Sequence, residues 1–211
     1  TLQLPLSASG EEDDLAFEPT WSTFAGGPPL LEAFRAGELD LGYVGDTPPV
    51  LAAAADQDLV IVAAWRFAGD NFAVVVPPGK NISEVSDLRG KRFAYQRGTA
   101  LQAYAVRALE EAGLTEDDIE HVELSALDIT AALRSGDVDA GVVVEPLLTQ
   151  YLESEPEARR IRDSKGLTTN LNFVVTTKAA LADEAKAAAI ADLLRHEQAA
   201  ADQALASHTR R

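Results

Sequence analysis

The sequence predicts an α/β protein. Short runs of apolar and β-branched residues recur along the whole chain, and helix-forming stretches of about ten residues separate them. That alternation is the pattern of parallel sheets with helices laid on their faces, and it predicts about eight to ten strands. No apolar run approaches the roughly 18 residues of a membrane span.

From the first residue, TLQLPL alternates like a strand before the polar, acidic SASGEEDD. Phe17 to Phe24 has the aromatic and threonine content of a strand. Gly26-Gly27-Pro28-Pro29 makes a turn whose prolines suit the first positions of a helix. Leu30, Leu31 and Phe34 give that helix its apolar stripe, and Gly37 stops it. Leu39–Val44 reads as a short buried strand, followed by the turn Gly45–Pro49 and an alanine-rich helix from Val50 to Ala55. Leu59–Ala64 is a further buried strand.

A second unit begins near Phe72 with AVVVPPGK, a strand with a proline and glycine exit. A short helix over Ile82–Leu88 has Ser83 as its cap. The strand Arg92–Tyr95 feeds through Gln96–Ala100 into a helix over Leu101–Ala112. Thr115–Asp118 is a capping-box turn, His121–Leu124 a strand, and Leu127–Ser135 a helix closed by Gly136. Asp139–Val144 is a strand ending in Glu145-Pro146, with a helix to Glu153 and a strand over Ala158–Arg162. Asn172–Thr176 leads into one long helix, Leu181–Ser207.

Composition narrows the function. The chain has 34 acidic and 18 basic residues and a formal charge of −16, a surface that repels the nucleic-acid backbone and favours solubility. It has no cysteine, hence no disulfide, thiolate metal site or thiol nucleophile. Its three histidines, His121, His196 and His208, have no metal-ligand spacing, and neither a metal nor a cofactor is expected. The G-x-S-x-G signature is absent, and no histidine stands near a candidate serine. Methionine is absent too, which suggests that parts of a longer protein are missing.

Ligands of α/β proteins bind at the carboxyl ends of strands, where helices begin. Three corners qualify. At Gln96–Ala100, Gly98 permits close backbone approach, and Thr99 with the free N–H groups of the helix start makes either an anion cradle or an ordinary N-cap. Arg97 adds a positive side chain beside it. At Gly45–Pro49, Asp46 and Thr47 are polar groups for a ligand head or simple capping residues. At Glu145-Pro146, a carboxylate at the edge of burial needs a partner, whether ligand, domain interface or solvent.

The order of these corners resembles that of the aliphatic-sulfonate-binding proteins of ABC importers, a branch with taurine, nitrate and thiamine-precursor binders. The resemblance runs from Trp21 to Thr177 through GGPPLLEAFRAGELDLGYVGDTPPVLAAAA, ISEVSDLRGKRFAYQRGTALQAYAVRALEEAGLTEDDIE and LRSGDVDAGVVVEP. It implies a type II-like periplasmic-binding fold, two α/β lobes joined by crossover strands and closing on a ligand. Lobe one would hold residues 1–75 and 175–211, with its first part incomplete, and lobe two residues 76–174. The resemblance places a sulfonate between Asp46 and Thr47 on one side and Gly98, Thr99 and Ala100 on the other, with Glu145 near the cleft. It implies a monomeric, non-catalytic binder outside the cytoplasm that hands its cargo to permease subunits. Binders of taurine, nitrate or a pyrimidine are alternatives, as are a cytoplasmic sensor and a desulfinase-like enzyme on the same fold.

Overall fold

Eight strands and eight α-helices lie among residues 2–67 and 69–208, which the computed structural model describes. The order is α1 (Gln3–Ser9), α2 (Gly27–Ala36), β1 (Leu41–Gly45), α3 (Thr47–Ala54), β2 (Val60–Arg66), β3 (Phe72–Val76), β4 (Arg92–Tyr95) and α4 (Ala100–Glu111). It continues with β5 (Glu120–Glu123), α5 (Ile129–Ser135), β6 (Ala140–Val144), α6 (Leu147–Ser154), β7 (Arg159–Asp163), β8 (Leu171–Thr176), α7 (Lys178–Ala182) and α8 (Glu184–His208). Two sheets result, a three-stranded one ordered β1-β8-β2 and a five-stranded one ordered β5-β4-β6-β3-β7.

The larger sheet carries the main core. Val74, Val75, Phe93, Tyr95, Val142 and Val143 are fully buried, covered by Tyr104 and Leu109 of α4 and Ile129 and Leu133 of α5. The smaller sheet is covered on both faces, and successive residues of β8 show it. Val174 packs with Leu2, Leu6 and Leu193, while Val175 packs with Leu30, Phe34 and Val44, as alternation along a strand requires.

The pairing is mixed rather than parallel. β4 runs parallel to β5 and β6, but β8 is antiparallel to both β1 and β2, and β3 is antiparallel to both β6 and β7. The cause is that the chain leaves the small sheet after β2 and re-enters it at β8, against the sense of its neighbours. The two crossings lie between Arg66 and Phe72 and between Asp163 and Leu171, and they are tied together. Phe67 N–H donates to Asn170 O (2.9 Å), Asn170 Nδ2 to Gly69 O (2.8 Å) and Phe72 N–H to Ser164 Oγ (3.4 Å). All of β3 pairs in the large sheet and all of β8 in the small one, so the two crossings between the sheets precede Phe72 and Leu171.

Four local readings need correction. The segment expected as the first strand holds helix α1 (Gln3–Ser9) instead, because Leu2 at its cap and Leu6, four apart, reach one buried face while Leu4 is 71% exposed. Phe17–Phe24 is not a strand; its aromatics plug the small sheet, with Phe17 and Trp21 packed on the Leu2–Leu6–Leu193 cluster. Residues 85–88 form a 3₁₀ turn after Glu84, and Ser83 instead donates to the Asp87 carboxylate from its N–H and hydroxyl (2.8 and 2.9 Å). The long terminal helix breaks at Asp183, whose carboxylate accepts from the N–H groups of Ala185 and Lys186 at the start of α8. Among the described residues no helix is long and apolar enough to cross a membrane.

Candidate ligand site between the sheets

Three helices start at one place. Strand β1 ends at Gly45 and turns into α3, β4 ends at Tyr95 and leads into α4, and α2 opens at Gly27. These corners touch where side chains are missing. A Cβ on Gly27 would stand 2.3 Å from Pro48 Cγ, and one on Gly98 would stand 2.7 Å from Pro28 Cγ. A Cβ on Gly45 would lie 3.3 Å from that of Ala100. Gly98 has φ +69°, the left-handed region that favours glycine. Gln96 bridges the two sides. Its Nε2 donates to Ala25 O (2.6 Å) and its Oε1 accepts from Ala126 N–H (3.2 Å).

The three helix ends differ in what they offer. Prolines occupy early positions of α2 and α3, so those ends keep their dipoles but lose N–H donors. The start of α4 has its donors, and side chains already use several. Thr99, 7% exposed, caps the helix by accepting from Leu101 N–H (3.2 Å) and donating its own proton to Gln96 O (2.7 Å). Gly98 N–H donates to Gln102 Oε1 (2.9 Å) and Arg97 N–H to the Glu123 carboxylate (3.2 Å). The N–H groups of Ala100 and Gln102, in the first turn, have no acceptor within the helix.

Beside this junction lies a cavity of about 30 Å³. Gly45 and Asp46 border it from the end of β1, Leu171 and Asn172 from the start of β8, and Asn71 and Phe72 from the start of β3. One face of α4 closes it with Ala100, Ala103, Tyr104 and Arg107, spaced as neighbours on a helix are. Thr168 and Asn170 come from the second crossing. The Asp46 carboxylate accepts from Thr169 Oγ1 (2.6 Å) and Thr47 Oγ1 (3.2 Å). Arg107 Nη1 donates to Leu167 O (2.8 Å). Phe72 and Tyr104 stack, with centroids 5.9 Å apart. The Tyr104 hydroxyl accepts from Val74 N–H (3.2 Å) and donates to Arg162 O (2.8 Å), and burial pushes its pKa above the phenol range.

The structure thus brings Asp46 and Ala100 to the cavity, with Gly98 and Thr99 at the junction beside it. Thr47 lines a separate shallow groove that shares Ala103 and Arg107 with the cavity. Arg97 is exposed, beside the Tyr95 hydroxyl. Glu145 reaches the site only through its backbone, donating from N–H to Asn71 O (2.9 Å). Its carboxylate instead accepts from the N–H and hydroxyl of Thr149 (3.2 and 3.0 Å) at the start of α6. Sequence reasoning missed Tyr104 and Arg107, which helical spacing from Ala100 could have found. It also missed Asn71, Asn170 and Asn172, for which the sequence holds no periodic signal. Among the described residues no group of His, Asp and Glu is placed to hold a metal ion.

Comparison with known proteins agrees with this architecture. A sequence model of the family described as "ABC transporter, phosphonate, periplasmic substrate-binding protein" matches residues 24–209. A putative aliphatic sulfonates-binding protein of Escherichia coli K12 is 33% identical over 75% of this chain. The chain spans only 50% of that relative's length. Among solved structures, the alkanesulfonate-binding protein SsuA from Xanthomonas axonopodis pv. citri bound to MOPS superposes with a TM-score of 0.83 at 28% identity, over 94% of this chain and 68% of that one. The desulfurization enzyme DSZB shares the fold alone, at 17% identity and a TM-score of 0.62, over 95% of this chain and 72% of that one. The fold is of the periplasmic-binding, type II-like kind, and the chain belongs to the family of phosphonate-type periplasmic substrate-binding proteins of ABC transporters.

Proposed function

We propose that this chain captures a small organic anion, an aliphatic sulfonate, between its two sheets and delivers it to the permease subunits of an ABC importer on the outer side of the membrane. The observation that carries this reading is the position of the cavity. It lies where the two sheets meet, beside the two crossing segments, so rotation about those segments opens and closes it. In this reading the lobes are residues 2–67 with 171–208 and residues 72–163, and one copy suffices because both walls come from the same chain. A cavity of about 30 Å³ holds little more than water, so cargo enters only when the lobes part. The first turn of α4 and the Arg107 guanidinium supply local positive potential in a molecule of formal charge −16.

The protein acts as a binder and not as an enzyme in this reading. The chain has no cysteine to serve as a sulfur-directed nucleophile, and among the described residues no serine or histidine lines the cavity.

A thermal-shift series with propane-1-sulfonate, taurine, nitrate, methylphosphonate and sulfate tests the proposal. A sulfonate at a hundred times its Kd adds about 2.7 kcal/mol, which raises the Tm by roughly 5–10 °C for a chain of this size. No shift with any sulfonate overturns the sulfonate reading, and release of sulfite from a sulfinate or sulfonate overturns the non-catalytic one.

A further inference from the structure

We propose that Gln96 is the latch of the clamp, a side chain that touches no cargo, holds the two lobes closed and thereby sets the rate of release. This rests on the lobe closure proposed above and names the residue that regulates it.

The Gln96 side chain spans the lobes. Gln96 follows β4 in lobe two, whereas Ala25 belongs to the turn that opens α2 in lobe one. Its Nε2 donates to Ala25 O (2.6 Å). The other end of the same amide is anchored within lobe two, where Oε1 accepts from Ala126 N–H (3.2 Å). A donor facing a carbonyl and an acceptor facing an N–H leave the amide one orientation, so its donor is already aimed at lobe one. The turn is shaped to receive it. Gly26 has φ +97°, and a Cβ there would stand 2.7 Å from Nε2, so both the backbone conformation and the close approach require glycine.

Position separates this bond from the others that tie the lobes. Those from Phe67 to Asn170, Asn170 to Gly69 and Phe72 to Ser164 involve the crossing segments, where rotation turns the chain without parting it. Asp46 and Arg107 likewise bond to the second crossing, at Thr169 and Leu167. The bond from Gln96 to Ala25 lies outside both crossings, between elements that opening separates. It is made in the closed arrangement and lost in the open one. Gln96 borders neither the cavity nor the groove beside it, so its contribution is the same for every ligand. A contact made only in the closed state shifts the balance toward closure by its own worth. One hydrogen bond between neutral groups is worth about five-fold.

Release rates of two sulfonates with different stems, ethanesulfonate and hexane-1-sulfonate, measured by stopped-flow displacement, test this. Gln96→Glu keeps an acceptor for Ala126 N–H and turns an oxygen toward Ala25 O in place of the donor. It should speed the release of both ligands by one common factor of at least about five. Small-angle scattering of the ligand-free variant should give a larger radius of gyration than the wild type. A partly unfolded sample lowers the signal amplitude and leaves the release rate alone, so poor folding cannot imitate the result. Gly26→Ala reaches the same bond from lobe one. By itself it should also speed release, but on top of Gln96→Glu it should add less than about two-fold, because the two variants remove one interaction. Wild-type release rates in Gln96→Glu, or factors that differ clearly between the two ligands, would overturn the latch while leaving sulfonate capture standing. If the wild-type chain binds neither sulfonate, sulfonate capture falls, and equal radii of gyration for wild type and Gln96→Glu then overturn the latch as well.

Discussion

Glu197 makes the stability of this chain depend on pH in a direction opposite to that of an ordinary paired carboxylate. The residue is 5% exposed, its Oε1 has no hydrogen-bond partner among the described residues, and it lies on α8 near Tyr43 of β1. Burial raises its pKa from 4.5 to about 7, and burial together with the Glu197 charge pushes Tyr43 up to about 12. The sign follows from which state holds the proton. Above pH 4.5 the unfolded chain ionises Glu197 freely, whereas the folded chain keeps it neutral until about pH 7. Stability from this group is therefore intact at low pH, declines as pH rises from 4.5 to 7, and levels off above. At about 1.4 kcal/mol per pH unit, the interval bounds the loss at about 3 kcal/mol, and residual solvent screening brings it nearer 2 kcal/mol. Glu197→Gln keeps the shape and cannot ionise. Because its amide also lacks a partner, the variant should fall up to about 1 kcal/mol below the wild type near pH 4.5 and exceed it by about 1–2 kcal/mol at pH 8. Thermal unfolding followed by circular dichroism should show a Tm gain of roughly 2–8 °C at pH 8. A difference between wild type and variant that is the same at both pH values would refute the reasoning.

Further outcomes follow from other groups. Asp139 loses ionic stability to burial, but hydrogen bonds from Arg92 and Lys80 (2.7 Å from Lys80 Nζ) more than offset it and hold its pKa far below the usual carboxylate range. Asp139→Asn should cost about 2–3 kcal/mol at pH 7 in urea unfolding, and the difference should vanish as the pH falls through and below 3.8, because the depressed pKa stabilises only while the carboxylate is ionised. Thr99→Ala should cost about 1 kcal/mol of stability as a lost N-cap, with sulfonate affinity changing less than three-fold, since the hydroxyl already donates its proton to Gln96 O. Gly98→Ala combines a left-handed φ of +69° with a contact at 2.7 Å to Pro28 Cγ. It should lose about 1–2 kcal/mol from the backbone alone and should hold the two sheets apart, visible as a larger radius of gyration in the ligand-saturated protein.

Much of the element order was legible because local chemistry determines it. Gly37 and Gly136 stop α2 and α5 in the left-handed conformation, the prolines open α2 and α3, and Thr99 starts α4. Two features misled. Alternating leucines in the first six residues suit a strand as well as a helix, and only α8 lying beside them selects the helical face. The aromatics of Phe17–Phe24 signal burial, but burial against a sheet and membership of one look alike in composition.

The sequence by itself determined the alternation of helices and strands, the positions of the strand-to-helix corners, and the lack of cysteine in these 211 residues, since each depends on residues close together in the chain or on composition alone. Tertiary structure alone decided which corners meet. The chain returns to its first sheet at β8, reversing the expected pairing there and placing the second crossing beside the first. That return brings Asp46, Arg107 and Asn172, up to 126 positions apart in number, to the wall of one cavity, and it leaves the Glu145 carboxylate capping its own helix. Such proximity is set by packing between distant elements, which no local pattern of residue types encodes.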